Sequence, residues 1–127
     1  MHRQINPETV VKSFGNYSQA IEIDPHKRWI FTAGQVGVNK DGTTMSSFEK
    51  QAEQTWENIF NILEDGGMHA SDIVKINGFI VGDINLSAYK TAREKALNNC
   101  NPASTLIIVP ALAMPEWLIE IEAIAAK

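Results

Sequence analysis

The sequence predicts an α+β fold of order ββ-α-β-α-ββ, with both helices on one face of the sheet. Three observations predict it. Apolar residues recur at helical spacing after Ser46, strand-type runs rich in Ile, Val and Phe lie on either side of the helices, and turn signals separate the runs. The 127 residues are the size of one domain, read as 1–127, with no internal repeat, linker or low-complexity stretch.

Gln19-Ala20-Ile21-Glu22-Ile23 alternates as a half-buried strand does. Asp24-Pro25-His26 is a turn, and Arg28-Trp29-Ile30-Phe31-Thr32-Ala33 reads as the return strand of a hairpin. Asn39-Lys40-Asp41-Gly42 is a second turn. Phe48, Ala52, Trp56, Ile59, Phe60 and Leu63 then line one helix face. Ser46 with Glu49 forms the expected capping box, and Gly66-Gly67 the expected stop, because glycine enters the left-handed region cheaply.

Ile73 to Val81 is a β-type run. Asn85 is the expected cap of a second helix from Leu86 to about Asn98, with Pro102 as its stop. Leu106-Ile107-Ile108-Val109 is a continuous apolar strand. In the last strand, Trp117 to Ala125, Trp117, Ile119, Ile121 and Ala123 share one face, and Glu120 and Glu122 share the other.

This order carries an expectation about assembly. The runs 73–81 and 106–109 are apolar on both faces, so both faces of the sheet need cover. Two crossover helices cover only one. A second copy of the chain is the simplest cover for the other.

Composition excludes several function classes. The net charge is −4 and no basic stripe is present, which argues against a nucleic-acid partner and against a polybasic membrane surface site. No apolar run is long enough to span a bilayer, and the N-terminus has no signal core, so the reading is cytoplasmic. Cys100 is the only cysteine, so an intrachain disulfide is impossible. It reads as an idle thiol beside a turn. His2, His26 and His69 have no metal-ligand spacing, so no metal is expected. Gly34-Gln35-Val36-Gly37 lacks the strand-loop-helix context of a phosphate loop.

Two features keep a functional reading open. Arg93 on the second helix reads first as a solvated cation paired with Asp or Glu, and second as a ligand contact. Glu120 and Glu122 lie on one face of a nearly apolar strand. Either that face is in water, or a carboxylate there acts as a base or positions a water.

Four segments then occur in order: Gly15-Asn16-Tyr17-Ser18-Gln19-Ala20, Phe31-Thr32-Ala33-Gly34-Gln35, Pro102-Ala103-Ser104-Thr105 and Ile119-Glu120-Ile121-Glu122-Ala123-Ile124-Ala125. Together with Gln51 and Asn58 to Leu63, this set resembles the Rid family, also called YjgF-like or L-PSP-like, from roughly Gly15 to Ala125. The resemblance implies a chorismate-mutase-like α+β fold, a homotrimer, and a small-molecule cleft at each subunit interface. It implies hydrolysis of reactive imines and enamines with no metal or organic cofactor.

By resemblance, Tyr17 is the tyrosine of the cleft and Glu120 the glutamate that positions the attacking water. Ala33, Gly34, Ser104 and Thr105 match other ligand-binding positions. Three positions depart from the pattern. Ser104 stands where the family has the arginine that grips the substrate carboxylate, Leu106 replaces a cysteine, and Ala33 replaces a serine. A hydroxyl cannot replace a bidentate guanidinium. The chain therefore resembles a subgroup without that arginine. Either its ligand lacks a carboxylate, or Arg93 supplies the charge from another direction. The leading function is an imine or enamine deaminase of restricted or altered substrate range. A non-catalytic metabolite-binding protein with the same cleft is the alternative, and an endoribonuclease is the least supported reading.

Overall fold

The computed structural model describes residues 2–25 and 27–127. In chain order it contains β1 (Arg3–Ile5), β2 (Ala20–Glu22), β3 (Trp29–Phe31), β4 (Gln35–Val36), α1 (Phe48–Asp65), β5 (Ile73–Val81), α2 (Leu86–Leu97), β6 (Ala103–Val109) and β7 (Ile119–Ala126). The main sheet has the order β3-β7-β5-β6, with β4 also pairing β7. β7 is antiparallel to β3, β4 and β5, and β5 and β6 are parallel. The chain thus crosses the sheet in one direction, from β4 over β7 to β5 and then to β6. Right-handed crossovers that advance in one direction place both helices on the same face.

Alternation on β7 aims Ile119, Ile121, Ala123 and Ala125 at those helices, and all four are buried. Phe48, Ala52, Trp56, Ile59 and Leu63 of α1 meet them, with Ile76 and Ile80 of β5 and Tyr89 and Leu97 of α2. Phe60, stacked on Trp56 at 5.7 Å, is only partly buried. The opposite face carries no helix. There Trp29 and Phe31 stack at 6.1 Å, and with Ile107 they remain 48%, 68% and 47% exposed.

Several local expectations are corrected. β2 does not form a hairpin with β3; it pairs with β1, supported by an exposed Arg3–Glu22 ion pair at 2.5 Å. β3 is drawn instead to the edge of β7, where Ile30 opposite Ala125 reaches the covered face and packs over Gly66. The expected turn at Asp24-Pro25-His26 includes His26, which lies outside the described residues. The expected strand 28–33 is split into β3 and β4. Three steps along β7 separate the partners of Phe31 and Gln35, against four on their own strand, so one extra residue bulges out between them. The strand placed at 106–109 begins earlier, at Ala103, and the last strand runs 119–126, with Trp117 outside it.

Helix ends differ in the same detailed way. Ser47, not Ser46, caps α1, its Oγ accepting a hydrogen bond from the Lys50 amide at 3.2 Å. Gly67 ends that helix at φ 75°, with its own amide and that of Met68 donating to the Glu64 and Leu63 carbonyls. Asn85 does not cap α2, because its amide group donates back to the Val81 carbonyl. α2 stops before Pro102 is reached. Asn98 and Asn99 take φ values of 42° and 69°, a left-handed turn that asparagine tolerates.

These ends give a direct check. Ser47→Ala should lower unfolding free energy by about 1 kcal/mol, whereas Ser46→Ala should change it by less than about 0.5 kcal/mol. Urea denaturation of both variants measures the difference, and equal losses would contradict the assigned cap.

Candidate functional site

The sequence-predicted residues fall into two groups on opposite faces of the sheet. The first group forms at the bulge between β3 and β4. Thr32 anchors it, its amide donating to the Ala123 carbonyl and its Oγ1 accepting from the Ala123 amide, both at 2.9 Å. The chain then bows outward through Ala33 and Gly34, both exposed. Gly34 lies directly against the Glu120 carboxylate, and a methyl group there would overlap Oε1. Only a glycine permits this approach of backbone to carboxylate.

Glu120 and Glu122 are both half-buried on the open face, but they differ. Glu122 accepts a hydrogen bond from the Asn77 side chain at 3.1 Å. Glu120 lies opposite Phe79 and has no side-chain hydrogen bond to a described residue. Glu120 is therefore the carboxylate left available. Thr105 shares this open face, and its Oγ1 accepts from Lys75 Nζ at 2.7 Å.

The second group lies on the helix side of β6. Adjacent residues on a strand point to opposite faces. Ser104, opposite the buried Ile76, therefore points toward α2 and away from Thr105. Tyr89 and Arg93, one turn apart on α2, meet it there. Arg93 is not the solvated helix cation expected from its residue type. It is 5% exposed, and its guanidinium lies 5.9 Å from the ring centres of both Tyr17 and Tyr89. Tyr17 reaches this place because its neighbour Ser18 is pinned beside β6. The Ser18 amide donates to the Pro102 carbonyl at 3.1 Å, and its hydroxyl to the Asn101 carbonyl at 2.5 Å.

No acidic partner accompanies that cation. The only ion pair among the described residues is Arg3–Glu22. Two cation–π contacts, each worth up to ~2 kcal/mol when desolvated, offset part of a burial penalty of several kcal/mol. Arg93 Nε, the Tyr89 hydroxyl and the Ser104 hydroxyl are all buried without a hydrogen-bond partner. Burial pushes the Tyr89 hydroxyl pKa up, while Arg93 and the nearby Ser104 pull it down. Even so, Tyr89 and Ser104 do not make a well-formed hydrogen bond.

Sequence reasoning missed Tyr89 and Lys75. The signal for Tyr89 was Gly78, a glycine inside an apolar strand, which marks a close approach. A methyl group at Gly78 would overlap the Tyr89 hydroxyl. The signal for Lys75 was weaker: a lone lysine alternating with buried neighbours. A separate groove of about 910 Å³ runs between α1 and α2, lined by Trp56, Phe60, Thr91 and Lys95, and none of the predicted site residues borders it. Among the described residues, no group of three His, Cys, Asp or Glu could hold a metal ion. No helix among the described residues is long and apolar enough to cross a membrane.

Residues 8–127 match the family described as Endoribonuclease L-PSP. The 2-iminobutanoate/2-iminopropanoate deaminase of Escherichia coli is 33% identical across 100% of this chain and 99% of its own length. Protein HMF1 of Saccharomyces cerevisiae is 30% identical across 94% of this chain and 91% of its own. The crystal structure of YyfB, a Rid-family protein of unknown function from Yersinia pestis, superimposes with a TM-score of 0.89 at 33% identity, covering 99% of this chain and 98% of that one. With two helices packed on one face of this mixed sheet and the family match running through nearly its whole length, the chain belongs to the Rid (YjgF-like, L-PSP-like) family.

Proposed function

We propose that this protein is a hydrolytic deaminase of small imines or their enamine tautomers, acting at a cleft completed by a second copy of the chain in a homotrimer. The observation that carries this reading is Glu120, a free carboxylate held against the Gly34 backbone on a sheet face that no helix covers. The deaminase name of the Escherichia coli relative supports the same chemistry at 33% identity.

In this reading Glu120 accepts a proton from a bound water as the water oxygen attacks the imine carbon. The C=N π pair moves to nitrogen, which takes up a proton. The resulting carbinolamine loses ammonia as its C–N bond breaks and its O–H proton departs, leaving the carbonyl product. The net reaction consumes one water and releases one ammonia. General base catalysis of this kind contributes about 10²- to 10⁴-fold. Thr105, with the ammonium of Lys75 on its hydroxyl, offers a polar wall on the same face.

The two groups of site residues sit on opposite sides of one sheet, which supports a shared cleft. Trp29, Phe31 and Ile107 give the open face the apolar surface an interface needs. Ser104, in the place of the family arginine, supports membership in a subgroup without that residue. It also favours a second reading, a metabolite-binding protein that uses the same cleft without turnover.

Gel filtration with light scattering should give about three chain masses, and a stable monomer at micromolar concentration would remove the shared cleft. Glu120→Gln preserves shape and removes the base. It should reduce hydrolysis of 2-imino acids generated by an amino-acid oxidase by about 10²-fold or more with little change in melting temperature. Semicarbazide trapping reads that rate. Undiminished hydrolysis in the variant would exclude Glu120, and a wild type without hydrolysis would leave the binding reading.

A further inference from the structure

We infer that Arg93, approached from the helix side of β6, is the carboxylate-binding residue of this protein, with the hydroxyls of Tyr89 and Ser104 as its helpers. The inference rests on the deaminase reading for the identity of the ligand, a 2-imino or 2-oxo carboxylate. The need for an anion comes from Arg93's own surroundings.

A guanidinium presents five N–H donors in a rigid fork and never loses its charge at ordinary pH. Buried guanidinium groups are ordinarily paired with carboxylates or phosphates. Arg93 is 5% exposed, has no ion pair with a described residue, and leaves Nε without an acceptor. Among the described residues six buried side-chain polar atoms lack partners, and three of them are Arg93 Nε, Tyr89 Oη and Ser104 Oγ. All three can donate a hydrogen bond, and they converge between α2 and the start of β6. Donors gathered around a fixed positive charge specify an acceptor-rich, negatively charged ligand. A planar carboxylate matches the guanidinium fork and leaves lone pairs for a hydroxyl.

The surroundings hold the cation in place without neutralising it. Tyr17 and Tyr89 flank it with their rings. A Cβ on Gly15 would lie 3.1 Å from Arg93 Nη2, so the backbone passes directly over the guanidinium. The nearest acidic side chain along α2, Glu94, is engaged by Asn16 at 3.3 Å.

The test uses 2-oxobutanoate as a stable carboxylate and 2-butanone as its uncharged counterpart, titrated calorimetrically into the full chain. Wild type should bind the carboxylate and not the ketone. Arg93→Met should weaken carboxylate binding about 10- to 100-fold. It should also raise the melting temperature of the ligand-free protein, because an uncompensated buried charge is removed. Arg93→Lys keeps the charge without the fork and should bind at an intermediate level, which serves if the methionine variant folds poorly.

Binding unchanged in either variant, or no binding of 10 mM 2-oxobutanoate to wild type, would overturn the inference. So would loss of assembly in Arg93→Met together with no ligand binding in wild type, which would assign the guanidinium to a carboxylate of a partner chain. The two readings separate cleanly. Arg93-dependent binding without imine hydrolysis would sink the deaminase and keep the anion site. Hydrolysis of 2-imino acids unaffected by Arg93→Met would do the reverse.

Discussion

β7 is paired along both edges, and the rest of the molecule depends on that arrangement. β3 and β4 take one edge and β5 the other, so every residue of β7 must face either the helices or the open side. Ile119, Ile121, Ala123 and Ala125 close the core under α1. The intervening Glu120 and Glu122 are thereby fixed on the uncovered face. A shift of one residue in register would drive both carboxylates into an apolar core and turn the apolar side chains out. The burial that stabilises the sheet therefore also presents the Glu120 carboxylate on the open face. The bulge before β4 then brings Gly34 up against Glu120 alone.

The two faces obey different electrostatics. On the open face, all but Glu120 of the polar groups described above are matched within the chain: Asn77 with Glu122, and Lys75 with Thr105. On the helix face, Arg93 Nε and the hydroxyls of Tyr89 and Ser104 are buried and remain unmatched. Sites that bind ligands commonly hold such unfavourable groups in place, and the surrounding fold bears the destabilisation. Gln51 illustrates the contrast. It too is buried, but its amide donates to the Met45 and Glu116 carbonyls and accepts from the Leu118 amide, which makes it a structural tie before β7.

Much of the fold was legible because it rests on periodicity. The α1 face from Phe48 to Leu63 and the alternation of Ile119 to Ala123 are local patterns, and tertiary packing agrees with them. What was not legible depends on distant partners. Nothing near Ile30 says that it pairs with Ala125, so the apparent hairpin with residues 20–22 was read in place of the long-range pairing. Ser46 and Ser47 are chemically equivalent as caps, and the register of Phe48 in the core decides between them. For the candidate site, family resemblance named Tyr17, Gly34 and Glu120, and the close approach of Gly34 to Glu120 came only from the bulge. The burial of Arg93 was not, because an arginine on a helix looks the same whether water or two tyrosine rings surround it. Gly78 was the one local sign that something large lay beneath β5.

The position of β7 in the sheet also bears on how the protein is made. Synthesis runs from β1 toward β7, and the strand that joins β3 and β4 to β5 is produced after all of its partners. Until it emerges, β3 and β4 have no strand beside them in the main sheet, and the apolar face of α1 has lost the floor it packs on. The parallel β5–β6 unit with α2 is the largest piece able to form earlier. Closure of the core is therefore a late event linking residues nearly a hundred positions apart, as Trp29 with Ala126 shows. Such non-local topology slows folding and leaves apolar edges open to other chains during the wait. The nascent chain is thus most vulnerable just before its central strand arrives, and a chaperone that shields β3 and β5 would act in that interval.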